Sequence, residues 1–386
     1  MLFVPSLSVI RGFATLCVAA LAFGWSLSAA AATIDTAARQ ALLVDFDTGS
    51  VLYEKNADEL MPPSSMSKLM TAYMVFERLK QGRTTLDDTF PVSERAWRKQ
   101  GSKMFVALGS RVRLEDLLRG IIVHSGNDAC IVVAEGLSNS EEAFAEEMTQ
   151  RAREIGLTRS VFRNATGWPD PEHVMTARDL AVLAGRIISD FPEYYKFYAE
   201  TNFTYNNITQ GNRNPLLYKN MGADGLKTGH TELAGYGLTA SALRDGRRLI
   251  LVVNGLPSMK ARSEEAERIL EWGFREFESI KLFEANETVA DAEVWLGTQA
   301  KVSLVSPQKV QFTLPRNARR TMKVAAVFNG PLAAPIKKGQ QVATLRITVP
   351  DAPTQEVPLY AAADIAKLGF VGRIGAAVKH IVFGSD

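Results

Sequence analysis

Residues 65–80 place the hardest constraint on how this chain can fold. Read as a helix after Pro62-Pro63, the stretch carries Leu69, Met70, Tyr73, Val75, Phe76 and Leu79 nearly all round its circumference. A helix with one apolar stripe can lie on a surface, but one that is apolar on every side has to be enclosed. Strand-type runs at 41–45 and 51–54 flank the turn Asp47-Thr48-Gly49, and two more at 237–243 and 248–254 are joined through Asp245-Gly246. Between them lie helical stretches at 114–118, 129–137 and 177–188, and a helix at 264–277 closes the region. Strands at both ends of a helical middle predict an α+β fold: an antiparallel sheet with helices, its hairpins brought together from distant parts of the chain.

From about 286 the texture changes. Short β-type runs at 289–295, 310–314, 322–328 and 342–349 are punctuated by Gly297, Pro315, Gly330-Pro331 and Gly339. They predict a small all-β domain, a sandwich or barrel, with no cluster of nucleophile, base and acid. A spacer or interaction module fits that pattern.

Both ends of the chain point to membranes. Arg11 precedes an apolar run at 13–25, and Ser28-Ala29-Ala30-Ala31-Ala32 supplies small residues for cleavage, so 1–32 reads as a signal peptide for export. A retained anchor is the other reading, although the run falls short of the ~20 apolar residues of a spanning helix. At the far end Phe370, Val371, Ile374, Ala377, Val378, Ile381 and Val382 share one face of a helical wheel, opposite Arg373, Lys379 and His380. Such a segment can lie in a membrane interface, and a helix docked on the protein's own core is the alternative. The expected organisation is thus a signal peptide at 1–32, a catalytic domain at 33–284, a β-domain at 285–358 and an amphipathic tail at 359–386.

Composition narrows the function. Lys and Arg number 44 against 42 Asp and Glu, a net +2 that suggests no nucleic-acid partner. Cys17 and Cys130 cannot make a disulfide framework, and His124, His173, His230 and His380 lack the spacing of a zinc site.

Three short motifs follow one another: Ser65-Met66-Ser67-Lys68, Ser125-Gly126-Asn127 and Lys227-Thr228-Gly229. Serine is a poor nucleophile until a base takes its proton, and a spacing of three on a helix puts Ser65 and Lys68 on one face. Lys68 can serve as base if burial and a nearby cation such as Lys227 depress its pKa. A second Ser-x-x-Lys, Ser306-Pro307-Gln308-Lys309, contains proline and sits among strands, so nothing helical brings its ends together. Ser125 offers a hydroxyl that can pass a proton to a leaving amine, and Asn127 an amide that can hold a substrate peptide group. The third motif lies just before a predicted strand. There Lys227 and Thr228 can bind a carboxylate, and Gly229 lets a substrate backbone come close. Singly, these motifs also read as a helix cap, a polar turn and a glycine-bearing loop; such an ordered set is the signature of serine β-lactamases and penicillin-binding proteins.

The resemblance extends beyond the triplets. Gly101-Ser102-Lys103-Met104-Phe105, His124-Ser125-Gly126-Asn127-Asp128-Ala129-Cys130, Gly211-Asn212-Arg213-Asn214, Asp224-Gly225-Leu226-Lys227-Thr228-Gly229-His230-Thr231 and Glu271-Trp272-Gly273-Phe274-Arg275 all match. From about residue 38 onward the chain resembles the serine-type D-alanyl-D-alanine carboxypeptidases, low-molecular-weight penicillin-binding proteins of the penicillin-binding protein 5 type. The resemblance implies a β-lactamase/transpeptidase-like catalytic domain. In it Ser65 is acylated, Lys68 is the general base, and Ser125 and Asn127 line the opposite side of the cleft. Lys227, Thr228 and Gly229 form the substrate-binding strand, Arg262 helps to hold the terminal carboxylate, and the backbone N–H groups of Ser65 and His230 form the oxyanion hole. It further implies removal of the terminal D-alanine from peptidoglycan stem pentapeptides, acylation by β-lactam antibiotics and no metal or other cofactor. The expected location is the periplasm, on the outer face of the inner membrane, reached by the signal peptide and held by the C-terminal amphipathic helix.

Two rivals remain at this level. An efficient serine β-lactamase carries Glu-x-x-Leu-Asn between the second and third motifs, and Glu135, Glu154 and Glu172 do not stand in that pattern. A non-catalytic peptidoglycan-binding scaffold would have no need of the Ser65–Lys68 pair.

Overall fold

The computed structural model describes residues 34–350, 354–370 and 372, so the expected signal peptide, 1–32, and residues 371 and 373–386 of the expected amphipathic tail lie outside the described residues. The enclosed helix is Lys68–Lys80, entered through a 3-10 turn at Ser64–Ser67. Leu69, Met70, Ala72, Tyr73, Met74, Val75 and Phe76 are all buried on it, as its all-round apolar pattern requires. Full burial stabilises each large side chain by roughly 1.5–3 kcal/mol, so this helix organises the core.

The chain forms two compact units, with Ile34–Arg275 as the first. Its sheet is antiparallel, in the order Val51–Lys55, Gln40–Asp45, Arg247–Leu256, Gly235–Arg244, Ala223–Thr231. The first hairpin therefore pairs with strands some two hundred residues away, Leu42 opposite Val252 and Leu43 opposite Leu251. Strand alternation sends Leu42 into the main core cluster. Leu43 goes to the other face, where a Cβ on Gly273 of helix Met259–Glu276 would stand 2.6 Å from Leu43 Cδ2. Both faces are covered, and the sheet ends in the edge strand Ala223–Thr231. The helical middle comprises Leu114–Ile122, Asn127–Ser138, Glu141–Glu154 and Ala177–Asp190. Glu141–Glu154, which the periodicity did not single out, starts at Ser140, whose hydroxyl accepts from the Ala143 N–H at 3.1 Å.

The second unit is all β. A six-stranded sheet runs Lys323–Val327, Gln341–Thr348, Gln355–Ala361, Lys301–Val305, Thr288–Trp295, Leu332–Ala333, beside a pair formed by Phe277–Phe283 and Val310–Pro315. Both boundaries differ from the sequence expectation. Phe277–Phe283 pairs with Val310–Pro315, so the unit begins at Glu276 and not at 285. It also continues past 358, because Gln355–Ala361 is a strand and Ile365 and Lys367 bridge to Ile336 and Gly297. In each case cross-strand partners, invisible in a local window, decide membership. The decoy motif is a turn: Ser306 is buried and its hydroxyl accepts from the Gln308 N–H at 3.3 Å.

Candidate active site

Ser65 sits in the 3-10 turn, directly after Ser64, whose φ of 51° is in the left-handed region. Non-glycine residues hold that conformation at a cost and cluster at functional sites. One turn on, Lys68 is 1% exposed and its Nζ donates to Ser65 Oγ at 2.8 Å, Asn127 Oδ1 at 2.8 Å and the Thr166 carbonyl at 2.5 Å. All three acceptors are uncharged. Burial lowers the Lys68 pKa from 10.5 to about 8, with Arg213 and Lys99 acting in the same direction. An amine so tuned is neutral in a useful fraction near pH 7 and lies within reach of the serine proton.

Ser125, buried and also left-handed at φ 60°, occupies the corner between helices Leu114–Ile122 and Asn127–Ser138. The Asn127 side chain is engaged at both ends: Oδ1 accepts from Lys68, and Nδ2 donates to the Gln100 carbonyl at 2.8 Å. Beside the substrate contact expected from the sequence, that amide holds the Lys68 amine. Asp128, with no role in the sequence reading, is fully buried and accepts from the N–H groups of Met104, Phe105 and Val106 at 2.9, 2.9 and 3.2 Å. It thereby ties the 101–106 segment to the second motif.

The third motif lies within the edge strand Ala223–Thr231, not ahead of a strand. Lys227 and Thr228 are buried, and Lys227 Nζ donates to its neighbour's carbonyl at 3.3 Å. Burial pulls its pKa well below 10.5, and Lys68, Arg213 and Arg262 push it further down. Arg262, 6% exposed on helix Met259–Glu276, is lowered to about 10 by burial, and its Nε has no hydrogen-bond partner. Its guanidinium lies 5.8 Å from the Tyr236 ring centroid, and Tyr236 stands opposite His230 in the ladder, their rings stacked at 3.9 Å. Among the described residues no ion pair neutralises Lys68, Lys227 or Arg262. Lys227 and Arg262, buried and without an ion-pair partner, make a site prepared for an anion.

Gly229 has a packing reason beside the expected one. A Cβ there would meet the Pro63 carbonyl oxygen at 2.8 Å, Met66 Cγ at 3.1 Å and Ser64 Cβ at 3.2 Å. The glycine lets the edge strand abut the turn that carries Ser65, and Ser64 Oγ lies 3.3 Å from Thr231 Oγ1 alongside. The sequence reading missed the loop that supplies the Thr166 carbonyl. Asn164 Oδ1 accepts from the N–H groups of Thr166 and Trp168, and Gly167, at φ 75°, passes so close to the turn that a Cβ would overlap the Ser64 carbonyl at 1.9 Å. Its local signal was Asn164 with Gly167, a turn pair without a chemical residue type. Cys130 is buried and unbridged. Among the described residues no three His, Cys, Asp or Glu side chains gather as a metal site would need.

A serine activated by a buried lysine, beside cationic groups on an edge strand of an α+β unit, defines a class of serine acyl-transfer enzymes. Residues 27–258 match the family described as D-alanyl-D-alanine carboxypeptidase, and 277–367 match the penicillin-binding protein 5 C-terminal domain. D-alanyl-D-alanine carboxypeptidase DacC of Escherichia coli (strain K12) is 37% identical over 392 residues, covering 98% of each chain. Among solved structures, penicillin binding protein 5 from Haemophilus influenzae superposes with a TM-score of 0.80 at 36% identity, covering 87% of this chain and 99% of that one. Penicillin-binding protein D2 from Listeria monocytogenes, in its ampicillin-bound form, gives 0.58 at 29% identity over 63% of this chain and 99% of its own. The chain belongs to the D-alanyl-D-alanine carboxypeptidase family of serine peptidases, with the penicillin-binding protein 5 type of C-terminal domain.

Proposed function

We propose that this enzyme removes the terminal D-alanine from peptidoglycan stem pentapeptides through an acyl-enzyme on Ser65. The observation that carries this reading is the buried Lys68 amine, 2.8 Å from Ser65 Oγ and held only by uncharged oxygens. Neutral Lys68 takes the Ser65 proton as Oγ attacks the carbonyl carbon of the penultimate D-alanine. The backbone N–H groups of Ser65 and His230 receive the oxyanion, each donor contributing about 3–4 kcal/mol in comparable sites. The proton passes by way of Ser125 to the departing amine, D-alanine leaves, and water hydrolyses the ester. The cationic side chains of Lys227 and Arg262, which donate only to backbone carbonyls, receive with the Thr228 hydroxyl the carboxylate that only a free C-terminus presents. β-Lactams acylate the same serine, as the ampicillin-bound relative suggests.

Export by the segment 1–32 and attachment of the tail to the outer face of the inner membrane belong to the same proposal. They rest on the sequence of the two ends, on Phe370, the first residue of the tail's apolar face, standing 72% exposed, and on the periplasmic wall as the place of the substrate. Among the described residues no helix is long and apolar enough to cross a membrane. Mass analysis of a muropeptide digest tests the activity: the pentapeptide peak should lose one alanine with the wild-type enzyme and none with Ser65→Ala. An unchanged pentapeptide with wild-type enzyme refutes the reading.

A further inference from the structure

The hairpin of Asn202–Tyr205 and Ile208–Gly211 stands apart from the main sheet and has no part in the chemistry above. Two strands alone are marginally stable in water, so what ties this hairpin down sets where it stands. Its first strand is tied to the second motif by His124, the residue before Ser125. His124 is fully buried, its Nε2 lies 2.9 Å from the Phe203 carbonyl oxygen, and the two rings pack at 5.1 Å. A carbonyl only accepts, so Nε2 carries the hydrogen, and Nδ1 is left buried without a partner. Burial lowers the His124 pKa, so the ring is neutral at pH 7.

The hairpin in turn holds the 101–106 segment. Gln210, opposite Phe203 in the ladder, donates through Nε2 to the Lys103 carbonyl at 2.9 Å. Asn206, at the turn, donates through Nδ2 to the Phe105 carbonyl at 2.9 Å. The N–H groups of 104–106 go to Asp128, so a segment that belongs to no helix or strand is gripped by side chains on both of its polar edges. That segment leads back to the general base. The Ser102 carbonyl accepts from the Asn127 N–H at 2.7 Å, the Gln100 carbonyl accepts from the Asn127 amide, and the same amide holds Lys68. Past the hairpin, Asn214 donates through Nδ2 to the Gly225 carbonyl at 2.8 Å, so this stretch also meets the edge strand of the third motif. We propose that the hairpin is a brace for the second motif and that His124 is the positioning residue that pins it, keeping Asn127, and through it the Lys68 amine, in place against Ser65. The inference rests on the reading of Ser65 and Lys68 given under Proposed function.

The test follows acylation by a fluorescent penicillin in stopped flow, read as a limiting rate and a half-saturating concentration, with thermal denaturation to confirm folding. His124→Leu should lower the limiting rate by about 10–100-fold, the cost of displacing reacting groups by about 1 Å. Half-saturation should stay within about twofold, since Lys227, Thr228 and Arg262 are untouched. In His124→Gln a carboxamide N–H can reach the same carbonyl, so the rate should recover to within about threefold of wild type. Gln210→Ala and Asn206→Ala cut the brace at its far end, and each should slow acylation by about three- to tenfold. Joined to His124→Leu, Gln210→Ala should add less than about twofold, because both changes cut one brace. The two hairpin variants decide the matter even if His124→Leu does not fold. A wild-type limiting rate in both of them overturns the brace. A glutamine variant as slow as the leucine one, effects that multiply in the double variant, or a loss confined to half-saturation overturns the role of His124. Failure of penicillin to label the wild-type enzyme overturns the underlying reading of Ser65 as well.

Discussion

Replacing Asn127 by aspartate tests the role assigned to Lys68. Asn127 Oδ1 lies 2.8 Å from Lys68 Nζ, and the amine's other acceptors are a hydroxyl and a carbonyl, so Asn127→Asp introduces a charge where none stands now. An opposite charge at that distance raises an amine pKa by about 1–3 units. In wild type the Lys68 pKa of about 8 leaves the neutral base as a minority at pH 7. Acylation needs that neutral form, so its rate should climb about tenfold per pH unit below pH 8 and level off above it. In Asn127→Asp the midpoint should move up by about 1–3 units, and the rate at pH 7 should drop by about 10–1000-fold, recovering in alkali. Asn127→Ala, which removes the contact without adding charge, should not raise the midpoint. The assay is stopped-flow acylation by a fluorescent penicillin from pH 5.5 to 10.5, with thermal denaturation to confirm folding. A wild-type rate that is flat from pH 6 to 9, or an aspartate variant with an unshifted midpoint, refutes Lys68 as the base.

Four further outcomes are expected. Penicillin labelling should vanish in Ser65→Ala and persist in Ser306→Ala, since the Ser306 hydroxyl only closes a turn; gel fluorescence reads both. Arg262→Ala should lower kcat/KM on a pentapeptide by about 10–100-fold, the worth of a charge-assisted hydrogen bond, and an unchanged value in steady-state kinetics would make the arginine structural. Gly229→Ala sets a Cβ 2.8 Å from the Pro63 carbonyl, so displacement of the Ser65 turn should slow acylation by about 100-fold, and a wild-type rate would contradict the packing argument. Ending the chain after Gly369, beyond the bridge to Lys367, should give a folded protein that still labels with penicillin but leaves the membrane fraction; a truncated form that pellets with membranes would point to an uncleaved N-terminus.

What the sequence by itself determined follows from short-range periodicity. Three residues along a helical stretch bring Ser65 and Lys68 to one face whatever else the chain does, and an all-round apolar helix has to be enclosed. The turn pair Asp245-Gly246 likewise announced its hairpin, and the β texture after 286 announced a second unit. What depended on residues far apart in the chain was decided only in three dimensions. The acceptors that surround Lys68 come from positions 65, 127 and 166, and neither the Thr166 carbonyl nor the double engagement of the Asn127 amide leaves a local pattern. That Gly229 also makes room for the turn at Pro63 and Ser64 left no local pattern, because that turn lies more than 160 residues earlier. Unit boundaries moved to 276 and past 365 because strands belong to a sheet through their partners, and pairing is a long-range property. Burial decided the rest: it removes water from Lys68, Lys227 and His173, and so lowers the pKa of each.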